Sequence, residues 1–263
     1  MKLQIYQVDA FSDSLFKGNP AAVVPLKQWL PDELMQQIAL ENNLSETAFF
    51  IPEGDHFQIR WFTPMTEVDL CGHATLASAH ILFNELAFIG EQIEFKSKSG
   101  LLKVTKSADK LQLDFPTDPV SPEVTNPKIE NALGVSPMAT YKGRTKHLLL
   151  FDKEKTIRDM KPNFQLLKQT DARGIIVTAR GTTVDFVSRF FAPKVGIDED
   201  PVTGSAHTLL VPFWASQLNK TEITALQLSA RGGQLWCTLS GDRVLIAGKA
   251  VTYLKGEIEI HLV

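Results

Sequence analysis

The chain carries a domain-sized internal repeat. Arg60-Trp61-Phe62-Thr63-Pro64 runs on to Cys71-Gly72-His73-Ala74-Thr75, and Arg189-Phe190-Phe191-Ala192-Pro193 runs on to Gly204-Ser205-Ala206-His207-Thr208. Each copy reads as a strand, a turn, then a glycine-plus-polar step into a nearly all-apolar helix. The offset is 129 from Arg60 to Arg189 and 132 from Gly72 to Gly204, so about three extra residues fall around Asp198-Glu199-Asp200-Pro201. Later segments align at an offset of 133: Ile93 to Ser97 with Leu226 to Ala230, Gly100 to Thr105 with Gly233 to Thr238, and Ser107 to Leu111 with Ser240 to Val244. Solenoid units are about 20 to 50 residues long, so a repeat of this size indicates duplication of a whole domain. Prolines 116, 119 and 122 mark the join. The expected division is 1–117 and 118–263, with the last strand near 253–263 a candidate addition to the first half.

The two copies predict an α+β fold in which β-rich segments wrap a central helix. One such helix is expected from Gly72 to about Ala87, the other from Gly204 to Leu218. A helix apolar on all sides is buried on all sides. Pro212 is expected to kink or interrupt the second helix. Asp32 to Glu41 reads as an amphipathic outer helix, and Lys103 to Leu113 as a hairpin around Ser107-Ala108-Asp109.

Composition narrows the function. The net charge is −3 with no basic run, which argues against nucleic acid or an anionic membrane as partner. The opening residues alternate like a strand and lack the apolar core of a signal peptide. Two cysteines, Cys71 and Cys237, are too few for a disulfide framework and point to a reducing cytoplasm. No Cys/His cluster has zinc spacing, and Gly18-Asn19-Pro20 lacks the pattern of a nucleotide-binding loop, so no metal or cofactor is expected.

The chemistry is expected at the repeated step. Gly72-His73 and Gly204-Ser205 each open a helix, whose free N–H groups and positive dipole end favour an anion such as a substrate carboxylate. The alternative is that Thr203 and Ser205 are ordinary helix caps and His73 a satisfied histidine. The dipole disfavours an imidazolium, so His73 is expected to act as a neutral ring. Asp200 either lends charge to the second helix start or orients His73 or a substrate amine. Glu46 stands where Asn43-Leu44-Ser45 leads into a buried strand; a partly desolvated carboxylate there suits a general acid/base, the alternative being an edge carboxylate facing water. Cys71 is either an activated thiol or a small buried residue.

Together, Val8-Asp9-Ala10-Phe11, Gly18-Asn19-Pro20-Ala21-Ala22-Val23, Leu44-Ser45-Glu46-Thr47-Ala48-Phe49, Cys71-Gly72-His73-Ala74-Thr75 and Asp200-Pro201-Val202-Thr203-Gly204-Ser205-Ala206 resemble the motifs of the PhzF family. These are phenazine-biosynthesis-type isomerases with the diaminopimelate epimerase fold. The resemblance implies two pseudo-symmetric halves, each a mixed sheet around a central helix, with an active-site cleft between them. It implies cofactor-independent proton transfer on a small carboxylate substrate by Glu46, His73, Asp200 and Ser205. Gly72, Gly204, Ser45 and Asn19 fall to substrate binding, and a homodimer is expected. The related epimerases use two facing cysteines; here Ser205 occupies the second position. A thiol-dependent racemase using Cys71 and a non-catalytic carboxylate-binding protein stay open as alternatives.

Overall fold

A computed structural model describes residues 1–260. It divides into two compact units, one comprising Met1–Asp114 with the segment from Ala247 onward, the other Phe115–Ile246.

In chain order the first unit holds β1 (Lys2–Ala10), β2 (Asn19–Pro25), α1 (Asp32–Asn42), β3 (Glu46–Glu53), β4 (His56–Phe62), β5 (Glu67–Val68), α2 (Gly72–Asn84), β6 (Gln92–Ser97), β7 (Gly100–Ser107) and β8 (Lys110–Pro116), within which the unit boundary falls. The second holds β9 (Ser121–Glu123), α3 (Pro127–Leu133), β10 (Ala139–Lys142), β11 (His147–Leu150), α4 (Glu154–Asp159), α5 (Phe164–Lys168), β12 (Ile175–Arg180), β13 (Phe186–Ala192), β14 (Ile197–Asp200), α6 (Gly204–Leu218), β15 (Glu222–Gln227), β16 (Gly233–Ser240) and most of β17 (Arg243–Gly248). The chain then returns to the first unit as β18 (Ala250–Glu259), antiparallel to β1 from Ala10↔Ala250 to Lys2↔Glu259. Residues 261–263 of the strand expected near 253–263 lie outside the described residues.

Each unit repeats one pairing scheme. In the first, β2 runs parallel to β3, β3 antiparallel to β4, and β4 antiparallel to β5 but parallel to β6, which turns back into β7. In the second, β11, β12, β13, β14, β15 and β16 follow the same scheme. The parallel pairs need a crossover, and a buried helix supplies one of them in each unit: α2 between β5 and β6, α6 between β14 and β15. Helix α2 packs against β1, β2, β3, β7 and β18. Ala74, Leu76, Ala77, Ala79 and Ile81 are completely buried, as are Leu209, Leu210 and Val211 of α6.

The repeated arginines prove structural. Arg60 binds Glu67 through Nε and Nη2 at 2.7 and 2.9 Å and lies over the Phe62 ring. Arg189 binds Glu199 through the same atoms at 2.7 and 2.9 Å and lies over Phe191. Each pair ties a strand to the short strand beside it.

One expectation is corrected and another narrowed. The β6 segment aligns with β15 at an offset of 130, not 133: Ser97 pairs with Gly100 across the first turn, and Gln227 with Gly233 across the second. The register changes because the second turn is three residues longer. Nor does Pro212 end α6, which runs unbroken to Leu218. Proline cannot donate to the carbonyl four residues back, that of Thr208. That carbonyl accepts the Asp118 N–H instead, at 3.0 Å.

Candidate active site

Glu46 is the first residue of β3, placed by the turn that ends α1. Asn43 takes a left-handed conformation and caps the helix on Ala39 O, and Asn42 Nδ2 donates to the buried Thr47 hydroxyl at 3.0 Å. Beside it, β2 pairs Ala21 with Glu46, which brings Asn19 near the start of α2. Gly18, with φ of 65°, precedes Asn19, and a Cβ there would lie 2.2 Å from Ala10 O, so only glycine fits this turn.

His73, Asn19, Glu46 and Cys71 converge. Asn19 Nδ2 lies 3.2 Å from His73 Nδ1, and Cys71 Sγ lies 3.5 Å from the same nitrogen. Where Nδ1 accepts, the neutral ring carries its proton on Nε2, and the imidazolium carries one there as well. Nε2 faces Glu46 Oε2 at 3.2 Å. This is ion-pair distance without hydrogen-bond alignment: among the described residues neither atom has a hydrogen-bond partner. A donor and an acceptor, both buried, thus sit side by side and off line from each other, able to address one reacting group together. Asn19 is wholly buried and holds the ring; Ser45 is half-buried one residue before Glu46, and Gly72 half-buried beside His73.

Charge at His73 differs from the expectation of a neutral ring. Burial opposes protonation, the charges of Cys71 and Glu46 favour it, and the balance lies well above the ordinary imidazole value. Burial and then the Glu46 charge push the Cys71 thiol up to about 11, so the thiol is protonated at neutral pH and Glu46 is the charged partner beside the ring there. His207 shows the converse: equally buried but without an acid beside it, it falls to about 4.

The ligand-type atoms of Glu46, Cys71 and His73 lie within 4.8 Å of one another, a spacing that could hold a metal ion. Their arrangement suits a proton relay better. Glu46 addresses one ring nitrogen and Cys71 the other, so they flank opposite edges of the imidazole and do not converge on a single lone pair.

In the second unit the structure brings Asp200, Thr203, Gly204 and Ser205 together. Asp200 ends β14 and is 9% exposed. The Thr203 hydroxyl donates to Asp200 Oδ2. Ser205 is half-buried on the first turn of α6. The capping expectation does not hold, because neither helix has a side-chain cap at its N-cap residue, Cys71 for α2 and Thr203 for α6. In α6 the Ala206 N–H turns back to Thr203 O at 3.1 Å, and the N–H groups ahead of it, at Gly204 and Ser205, stand where a helix start favours an anion. Both copies also brace the N-cap carbonyl from one turn on: the Thr75 hydroxyl donates to Cys71 O, and His207 Nδ1 to Thr203 O.

Gln227 escaped the sequence reading. It is 1% exposed and bonds the Asp200–Thr203 turn. Its signal was a glutamine at a strand end where the alignment offset changes.

Known proteins place these features in context. A family model described as phenazine biosynthesis-like protein matches residues 8–256. An uncharacterized isomerase of Pseudomonas aeruginosa is 54% identical, over 99% of this chain and 100% of its own length. A crystal structure of a PhzF-family phenazine biosynthesis protein from Enterococcus faecalis superposes with a TM-score of 0.97 at 48% identity, covering 99% of this chain and 100% of that one. At 11% identity, a hydroxyproline epimerase from Agrobacterium vitis, with trans-4-hydroxy-L-proline bound, shares the fold with a TM-score of 0.66, covering 98% of this chain and 92% of that one. The architecture is the duplicated α+β fold of the diaminopimelate epimerase type. No helix among the described residues is long and apolar enough to cross a membrane.

Proposed function

The chain belongs to the PhzF family of phenazine-biosynthesis-like isomerases, and from that premise we propose that it moves a proton and a double bond on a small carboxylate-bearing substrate, with Glu46 as the general acid/base. The observation that carries this reading is the pair of buried, unaligned atoms Glu46 Oε2 and His73 Nε2, 3.2 Å apart beside the uncapped start of α2.

The chemistry follows from those positions. A substrate carboxylate accepts N–H groups at a helix start. Glu46 takes a proton from carbon, and the electron pair left behind moves into the adjoining π-system. His73 Nε2–H donates to the oxygen on which negative charge develops. Glu46 or His73 then returns a proton at a different carbon, so atoms balance and no electrons are gained or lost. Positioned proton transfer of this kind contributes roughly 10² to 10⁴ in rate. The reading assigns Asp200 and Ser205 to the same reaction; it is supported by their place at the repeated step and by the family's motifs.

The test is proton NMR in D₂O against a panel of small cyclic and amino carboxylates, hydroxyproline and proline among them. Site-specific deuterium uptake identifies both the compound and the carbon. Glu46→Gln keeps the shape and removes the base, and turnover is expected to fall by roughly 10² or more. Near-full turnover by that variant refutes the assignment. Ligand-induced thermal stabilisation with no exchange on any compound favours a binding protein instead.

A further inference from the structure

The second copy of the repeat departs from the first at two places, and these touch. One is the approach to α6: Arg60 and its partner Glu67 are seven residues apart, Arg189 and Glu199 ten. The other is the turn between β15 and β16, longer by three residues than that between β6 and β7. In both copies a serine of this turn reaches the carbonyl ahead of the helix. Ser99 Oγ donates to Asp69 O at 2.8 Å, and Ser229 Oγ to Pro201 O at 2.9 Å.

Only the second copy adds a further hold. The position equivalent to Gln227 is Ser97, which closes its own hairpin by donating to Gly100 O. Gln227 points into the turn instead. Its Nε2 donates to Asp200 O at 2.8 Å and to Thr203 Oγ1 at 3.1 Å, and its Oε1 accepts the Thr203 N–H at 2.9 Å. Because Thr203 Oγ1 accepts from Gln227, its own proton is directed to Asp200 Oδ2. One buried amide thereby fixes the main chain on both sides of the turn and the orientation of the hydroxyl on the acid.

We propose that Gln227 is a positioning residue for Asp200. It holds the turn so that the Asp200 carboxylate and the open start of α6 keep one geometry, and through Thr203 it favours the ionised carboxylate. The role rests on the reading that Asp200 serves the reaction. A glutamine costs more to bury than the serine of the first copy, and it is fully used here, as a buried amide must be.

The experiment compares Gln227→Leu, Gln227→Glu and Asp200→Asn with the unaltered protein, using deuterium uptake into whichever compound of the carboxylate panel exchanges. Gln227→Leu removes all three hydrogen bonds. Gln227→Glu keeps the acceptor for the Thr203 N–H but draws the Thr203 hydroxyl away from Asp200. In both, kcat is expected to fall roughly 10- to 100-fold, as misplaced catalytic groups do. In Gln227→Glu the acidic limb of the pH–rate profile moves to higher pH because the ionised carboxylate has lost the Thr203 donor. Amide exchange at residues 203–205, followed by mass spectrometry, accelerates in Gln227→Leu. A merely structural glutamine would lower Tm and leave kcat and the pH limb of the folded enzyme unchanged. That outcome, with Asp200→Asn inactive, overturns the positioning role alone. Full turnover by Asp200→Asn overturns the assignment of Asp200, and the positioning role with it.

Discussion

Replacing Glu46 by glutamine should change the charge of His73 as well as activity. Two unit charges 3.2 Å apart attract by about 5 kcal/mol at an effective dielectric constant of about 20. Among the described residues nothing else near His73 replaces that attraction, because the Cys71 thiol is held protonated up to about 11. Burial and the dipole of α2 are then left to act alone, and both oppose the imidazolium. The structure contains its own reference for this state in His207, which is equally buried, has no carboxylate partner and titrates at about 4. In Glu46→Gln the His73 midpoint should therefore fall from above the ordinary imidazole value toward that of His207. One pH unit is worth about 1.4 kcal/mol, so even a fraction of the Coulomb term moves it by more than one unit. The assay is a pH series of imidazole Cε1–H spectra, with His73 assigned by His73→Asn. Stability gives a second readout. A folded value above the unfolded one contributes stability that is full below about pH 6.5 and is lost as pH rises through the folded value. The Tm gap between the unaltered protein and Glu46→Gln should thus be wider at pH 6 than at pH 9. A midpoint that stays within half a pH unit, or a Tm gap independent of pH, refutes the argument that Glu46 holds the charge on His73.

Two further outcomes follow from the contacts. Arg189→Ala should destabilise by about 3 to 5 kcal/mol, because it strips Glu199 of its partner and also frees the Ile157 and Met160 carbonyls. Arg60→Ala removes the equivalent pair but leaves Lys98 on Glu67, and should cost about 1 to 2 kcal/mol; urea denaturation giving equal losses would sink this ranking. Iodoacetamide at pH 7.5 should modify Cys71 only slowly, since the thiol is buried and protonated, and Cys71→Ala should retain most of its activity. Rapid alkylation matched by loss of turnover would revive the thiol mechanism.

The architecture was legible because burial and periodicity are local. The helices Gly72–Asn84 and Gly204–Leu218 announced themselves by lacking a polar face, and the repeat placed them in equivalent surroundings. Motifs carried Glu46 and His73 to one region of the chain, Asp200 and Ser205 to another. What could not be read was direction. Whether Asn19 contacts substrate or supports a ring depends on the parallel register of β2 and β3, which no residue of either strand encodes alone. The charge environment of His73 could not be read because helix position is visible in sequence and a carboxylate 27 residues upstream is not known to be adjacent until the sheet forms. That Pro212 leaves α6 unbroken could not be read, because its cost depends on whether the freed Thr208 carbonyl finds a donor, and that donor, Asp118, lies 90 residues earlier. Gln227 was invisible because side-chain amides bond whatever the fold brings within 3 Å. The amino-acid sequence alone determined that two similar α+β units would each bury a helix, since apolar patterning needs no partner to be recognised. Tertiary structure alone decided which polar atoms meet, and therefore which carry charge, because hydrogen bonds and ion pairs depend on distances that only the closed chain sets.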